Sequence, residues 1–333
     1  MHASADVMGA RHKLAVRRRY VMIFTIGAIL ALLLLAPSLM RGCPVAEQHA
    51  AARAQRDSLG ALNTPVPPQW AAATHLIMVA GHAVYTGAAH TRANVESEDS
   101  WFLEPFQHGQ LATMLNHIKR GVELAGADNS SLLIFSGGET RAAAGPRSEA
   151  ASYWEAADAL GWFGQPHVRS RTVLEVHARD SLENLLFALC RHREVSGRYP
   201  TRVTVISFGF KRRRFVELHR AALRLPRSRF RYVGIDPPGI GVDVLHGEVA
   251  HSSKPFERDP YGCAEAQLRA KRATRNPFRR HIGYADGCPE ITQLLEHCGT
   301  LRYDGPLPWS SKLGDDDDEG TPAASKAAAT DFK

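Results

Sequence analysis

The chain has 333 residues, 44% of them hydrophobic and 23% charged, enough for one large domain or two modest ones with a sizeable core. Its formal charge of +7 is unevenly placed: residues 1–19 hold Arg11, Lys13, Arg17, Arg18 and Arg19 against Asp6 alone, a local +4 that leaves +3 for the rest. The body is therefore only mildly basic, which gives no case for nucleic acid as a partner.

Taken in chain order, residues 1–19 read as a basic cytosolic tail. Residues 20–40 carry no charge and centre on the run IGAILALLLLA. As a helix this stretch would span roughly 30 Å, the hydrocarbon thickness of a bilayer. The basic flank precedes it, so the positive-inside rule keeps the N-terminus cytosolic and sends the body into a lumen. The expectation is a single-pass type II protein of the ER or Golgi, held in the membrane by one N-terminal helix. Two other readings stand beside it. A cleaved signal peptide would have a shorter apolar region and a small-x-small site, which Pro37-Ser38-Leu39-Met40-Arg41 does not supply. A mitochondrial presequence with an inner-membrane span is the other. Asn129-Ser130-Ser131 is either a glycosylation acceptor in a polar turn or a chance triplet.

Residues 41–73, rich in Ala, Gln, Arg and Pro, read as a stalk. From His75, HLIMVAG is a buried strand closed by glycine. A polar loop follows it. Leu111, Leu115, Ile118 and Val122 recur at helical spacing, and SLLIFSGG is a second buried strand. Ser148 and Glu149 open the next helix as an N-cap with an acidic first turn. VLEV is strand-like, and a helix runs on from Ser181. RVTVISF is a strand, RRRFVELHRAALRL a helix and FRYVGID a final strand. This alternation over residues 74–240 predicts an α/β fold: a Rossmann-like parallel sheet with helices on both faces, preceded by one transmembrane helix. Residues 241–300 read as a helical extension packed on that sheet, with helices at AEAQLRAKRATR and ITQLLEHC. Residues 301–333, with the acidic run Asp315 to Glu319, read as a disordered tail. Of five cysteines, Cys190 lies on an apolar helix face and reads as a buried thiol; Cys263, Cys288 and Cys298 are numerous enough for one disulfide.

Sites in such folds lie at the carboxyl ends of the strands. That rule gathers four loops: Gly81-His82, Ser136-Gly137-Gly138-Glu139, the turn from Glu175 to Ser181, and Ser207 to Arg214. The densest polar stretch is Glu175 to Asn184, at the mouth of a helix, where buried polar groups are costly unless something satisfies them. In a catalytic reading, Glu175 or Asp180 is a base or metal ligand and Arg179 stabilises developing negative charge. In a structural reading, Asp180 or Ser181 caps the helix, Asn184 bonds a neighbouring loop, and Glu175 pairs with Arg179. Gly137-Gly138 either frees backbone N–H groups for an anion or makes a tight turn. Lys211, Arg212, Arg213 and Arg214 at a helix start oppose the helix dipole, a cost an anionic ligand would relieve. Their alternative is a solvated basic surface, above all at Arg212. His219 reads as packed or superficial; His82 is closer to the expected site. No metal-ligand spacing and no nucleotide-binding fingerprint occurs, so no cofactor is identified.

The ordered motifs SGG, SEA, E-x-x-x-R-D-S-x-E-N and S-x-x-F-K-R-R-R-F resemble the YdcF/SanA/ElyC-like family of domains of unknown function, in particular its eukaryotic membrane-anchored branch. The resemblance spans about residues 74–240. It implies a Rossmann-like fold and a polar pocket that Glu149 faces. The bacterial pattern has Ser or Thr at Ala178, a glycine-rich loop where this chain has only Gly81, and a histidine near Phe210-Lys211. The expected function is therefore coarse: an anionic ligand, phosphorylated or nucleotide-linked, that the protein transfers or hydrolyses. A non-catalytic binding or tethering module of the secretory pathway is the second reading. S-adenosylmethionine binding, on bacterial analogy, is the third.

Overall fold

The structure, a computed structural model, describes residues 65–310. The apolar segment 20–40, the basic tail and the acidic run lie outside the described residues. Among the described residues, no helix is long and apolar enough to cross a membrane.

A short turn of helix, α1 (Pro68–Ala71), leads into strand β1 (His75–Ala80). The expected polar loop after β1 carries a small ribbon, β2 (Val84–Tyr85) paired antiparallel with β3 (Trp101–Phe102), and a helical turn, α2 (Arg92–Val95). Helix α3 (Leu111–Gly126), strand β4 (Ser131–Ser136), helix α4 (Glu149–Ala159) and strand β5 (Thr172–Glu175) follow. Helix α5 (Ser181–Ser196) and strand β6 (Arg202–Ser207) come next. The stretch expected to be one helix after β6 is instead a 3₁₀ turn (Gly209–Lys211), a π-helix (Arg214–His219) and the short α6 (Arg220–Ala222), before β7 (Phe230–Gly234).

Five strands form one parallel sheet in the order β5-β4-β1-β6-β7. The first half of the chain builds outward from β1 to β5, and the second half crosses back to β6 and β7. This is the Rossmann-like arrangement expected, and the switch between the two directions falls between β1 and β6, where such sheets open a crevice.

The strands are apolar throughout because both faces are covered. Alternate side chains point to opposite faces. Ile77, Val79, Leu133 and Phe135 pack with α3 and α4, whereas Leu76, Met78, Leu132 and Ile134 pack with α5 and the C-terminal segments. Helix α3 buries Leu111, Met114, Ile118, Val122 and Ala125, with the expected Leu115 only partly covered.

The region after β7 is more structured than its pattern indicated. Helix α7 (Val242–Glu248), a π-turn (Val249–Ser253), α8 (Lys254–Arg258), α9 (Ala266–Thr274), α10 (Tyr284–Gly287) and α11 (Thr292–Glu296) wrap the α5 side of the sheet. Cys263 and Cys298 are joined, while Cys190 and Cys288 are buried thiols. The ordered body also passes the boundary placed at residue 300. Tyr303, Leu307 and Trp309 enter the core, and Trp309 Nε1 donates to the Leu223 carbonyl at 2.6 Å.

Candidate functional site

A cavity of about 470 Å³ opens at the switch point. Its floor is Ala80, Gly81 and His82 after β1, and Phe208, Phe210, Lys211 and Arg214 after β6. The starts of α4 and α5 supply Glu149, Ala178, Arg179, Asp180, Ser181 and Asn184. The C-terminal extension closes the remaining side with residues of α7 and its π-turn, including Glu248 and His251, and with Lys271 and Arg275 from α9 and its end. The extension is thus part of the site, not only a cover for the sheet.

The helix starts are built by capping. Ser148 accepts from the Ala151 amide, as expected. Helix α5 is capped by Asp180 rather than Ser181: Asp180 Oδ1 accepts from the Leu182 and Glu183 amides, each at 3.0 Å. Its other oxygen takes Arg272 Nε at 2.6 Å. Burial alone would raise this carboxyl, but the adjoining Arg272 and the cap hold it well below the usual carboxylate range. Arg179 pairs with Glu183, which also meets Arg272, so the Glu175–Arg179 pair envisaged from the sequence does not form.

Glu175 does not line the cavity. It is fully buried at the end of β5, accepting from Ser136 Oγ at 2.6 Å, the His177 and Ala178 amides, and Tyr284 Oη at 3.2 Å. Burial raises its pKa to about 7 against those donors. Asn184 donates to the Ser136 carbonyl and hydroxyl, tying α5 to β4. The Gly137 and Gly138 amides are also committed, to the carbonyls of Glu175 and Ala178, and are not free for an anion. A Cβ at Gly81 or Gly137 would come within 2.6 Å of Glu149, so these glycines admit the start of α4. Glu149 itself reaches the cavity and accepts from Thr140 Oγ1. Glu139 lies outside it, in an ion pair with Arg280.

The four cations after β6 divide. Arg212 and Arg213 face away: Arg212 donates to the Tyr232 carbonyl and Arg213 pairs with Glu257. Arg214 is buried against Glu248 at 3.1 Å, with Nε left unpartnered. Lys211 turns inward over the Phe208 ring and reaches His82 Nδ1 at 3.3 Å. His82 in turn contacts Ser207 Oγ through Nε2 at 3.1 Å. A histidine therefore stands beside Lys211, delivered by the loop after β1 instead of the loop after β6. Burial first and Lys211 second keep it neutral, with a pKa well below the ordinary value.

Lys211, Lys271 and Arg275 share this cavity, and none has a carboxylate within ion-pair distance among the described residues. Asp180 is taken by Arg272, and Glu248 by Arg214. Glu149 is near enough to act on Arg275 without pairing with it. Burial and then neighbouring cations lower both lysines to about 7: Arg214 acts most on Lys211, and Arg275 most on Lys271.

No protein-family model matches the chain, and no solved structure matches it. Among curated proteins, the uncharacterised protein YOR238W of Saccharomyces cerevisiae is 27% identical over 296 residues, covering 71% of this chain and 97% of the yeast protein. The similarity thus extends along nearly the whole yeast protein.

The cavity residues contributed by the extension, Glu248, His251, Lys271 and Arg275, carry no signal in the sequence. Lys271 and Arg275 lie in an extension with no motif of its own, where nothing local distinguishes them from solvated cations. His219, expected to be packed or superficial, is packed: it is buried, and its Nε2 lies 2.7 Å from Ser181 Oγ.

Proposed function

We propose that the switch-point cavity binds an anionic small molecule, phosphorylated or nucleotide-linked, and that the protein transfers or hydrolyses it. One observation carries the reading: three half-buried cations, Lys211, Lys271 and Arg275, converge on a single cavity with no carboxylate partner among the described residues. Uncompensated charge in a desolvated place is unfavourable unless a ligand supplies the counter-charge. Arg275 and the lysines present N–H donors suited to phosphate oxygens. Phe208, Phe210 and Phe215 on the same wall suit an apolar or flat remainder such as a base or a lipid chain.

A binding module without chemistry is the second reading. It is favoured by the internal partners held by Glu175, Asp180 and Arg179, the residues a catalytic reading of the sequence singles out. The sulfonium of S-adenosylmethionine would add a cation to a cavity already rich in them, which makes that ligand the poorest fit of the three. Membership of the YdcF/SanA/ElyC-like family and anchoring through residues 20–40 in a secretory membrane belong to the same proposal. A glycan or lipid-carrier precursor is the kind of substrate such an address would offer.

The test is a thermal-shift panel on the full-length protein in detergent: pyrophosphate, nucleotides, sugar nucleotides, polyprenyl-phosphate analogues and S-adenosylmethionine. A ligand at 100 times its dissociation constant stabilises by about 2.7 kcal/mol. The expected result is a shift with a phosphorylated compound, lost in a Lys211→Met/Lys271→Met variant. No shift from any phosphorylated member would sink the proposal.

A further inference from the structure

We infer that Ser181 is a nucleophile and His219 its general base, acting on the phosphorus of the bound ester; the substrate class rests on the anion reading above. Ser181 lines the cavity as the first residue of α5, and its Oγ lies 2.7 Å from His219 Nε2. Both side chains are buried. His219 closes the π-helix Arg214–His219, the departure from regular helix that brings its ring across to α5. Such π-turns recur at functional sites.

The imidazole is clamped edge-on between Phe215 and Phe256, with centroids at 5.5 and 4.6 Å. Its Nδ1 is buried with no hydrogen-bond partner among the described residues, so Ser181 is the polar contact that orients it. A serine–histidine bond serving only to join two helices has no reason to present the serine to a cavity. Burial most of all, and then Arg214, Arg272 and Lys271, disfavour protonation of the ring, while Asp180 favours it. Neutral imidazole is thus the resting form; with its proton on Nδ1 the Nε2 lone pair faces Ser181 Oγ, and the Asp180 charge offsets the imidazolium formed during attack.

The step balances as hydrolysis with water as co-reactant. Ser181 Oγ bonds to phosphorus as its proton passes to His219 Nε2, and the ester P–O bond breaks. The departing oxygen takes a proton from water. The resulting hydroxide attacks the phosphoseryl group, the Oγ–P bond breaks, phosphate leaves, and the proton on Nε2 returns to Ser181 Oγ. Lys211, Lys271 and Arg275 balance the charge on the phosphoryl oxygens throughout.

The test uses a fluorophosphonate, in which the same attack expels fluoride, read by intact mass and peptide mapping of the full-length protein. One adduct at Ser181 is expected, absent in Ser181→Ala and slowed roughly 10²-fold in His219→Gln. Ser181→Cys keeps the side-chain size and gives a second readout. Its introduced thiol should react with iodoacetamide faster than buried Cys190 and Cys288. A folded protein with no adduct at Ser181 and an unreactive introduced thiol would overturn the dyad. Pyrophosphate-induced thermal shifts, measured on the same samples, separate the two proposals. A shift without labelling keeps the anion site and removes the nucleophile; labelling without a shift keeps the nucleophile and overturns its phosphorylated substrate.

Discussion

The two ends of the parallel sheet treat charge in opposite ways. At the amino end, Asp128 meets His75 at 2.8 Å and Arg202 at 2.9 Å, and also accepts from Ser130. Those donors hold its carboxyl well below the usual range against partial burial. Arg171, 5% exposed, spends its guanidinium on the carbonyls of Ala125, Asp128 and Ser131. At the carboxyl end, Lys211, Lys271 and Arg275 converge with no carboxylate of their own among the described residues. Both ends bury polar groups, and most of them find internal partners; what sets the carboxyl end apart is that these three cations of the cavity wall have no carboxylate among the described residues. The proposed function places the capacity to bind in the second, and leaves the first to stability.

The contrast has consequences of opposite sign. Arg171→Ala should cost the most, about 4 kcal/mol, because it orphans several buried carbonyls at once. The check is chemical denaturation, in which any remaining folded fraction should still respond to ligand. Comparable destabilisation from Lys271→Met would erase the distinction between the ends.

Reducing the Cys263–Cys298 disulfide should come next. It closes a loop with a sequence separation of 35 residues, for which loop entropy gives about 3.8 kcal/mol. Helix α9 lies inside that loop and carries Lys271. Reduction should therefore weaken anion binding as well as lower Tm, measured by calorimetry with and without reductant.

Lys211→Met and Lys271→Met should each stabilise the ligand-free protein, by about 1 kcal/mol, since each removes an unpaired cation from a partly desolvated wall. Both should reduce ligand-induced stabilisation. Melting curves with and without pyrophosphate give the two signs in one experiment.

The smallest effect is that of pH. Both lysines have folded-state values of about 7, below their ordinary 10.5. Between these values the unfolded chain binds more protons, so stability should rise with pH from about 7 toward 10.5. Their exposure to solvent screens the effect. Ligand affinity should fall over the same interval as the ammonium charge is lost. Melting temperatures from pH 6.5 to 9 at constant ionic strength check this: the Lys211→Met/Lys271→Met variant should rise less steeply than the parent.

Much of the sheet was legible because strands buried on both faces must be continuously apolar, as in HLIMVA and SLLIFS. The cap at Ser148 was legible because it needs only its own helix. The polar stretch from Glu175 to Asn184 was conspicuous for a different reason than chemistry alone: its groups bond mainly to one another, to β4 and to the extension. Density of polar residues marks a place where satisfaction is required, and cannot say whether protein or ligand provides it.

What the sequence determined by itself was local and periodic: which segments are strands or helices, their alternation, and the gathering of four loops at one edge of a Rossmann-like sheet. The tertiary structure decided the pairing of charges. It sent Arg212 and Arg213 outward, Lys211 and Arg214 inward, brought Lys271 and Arg275 from a distant extension, and set His219 against Ser181. The reason is physical: hydrophobic period is written within a single element, whereas a charge's partner is fixed by the element that packs opposite it.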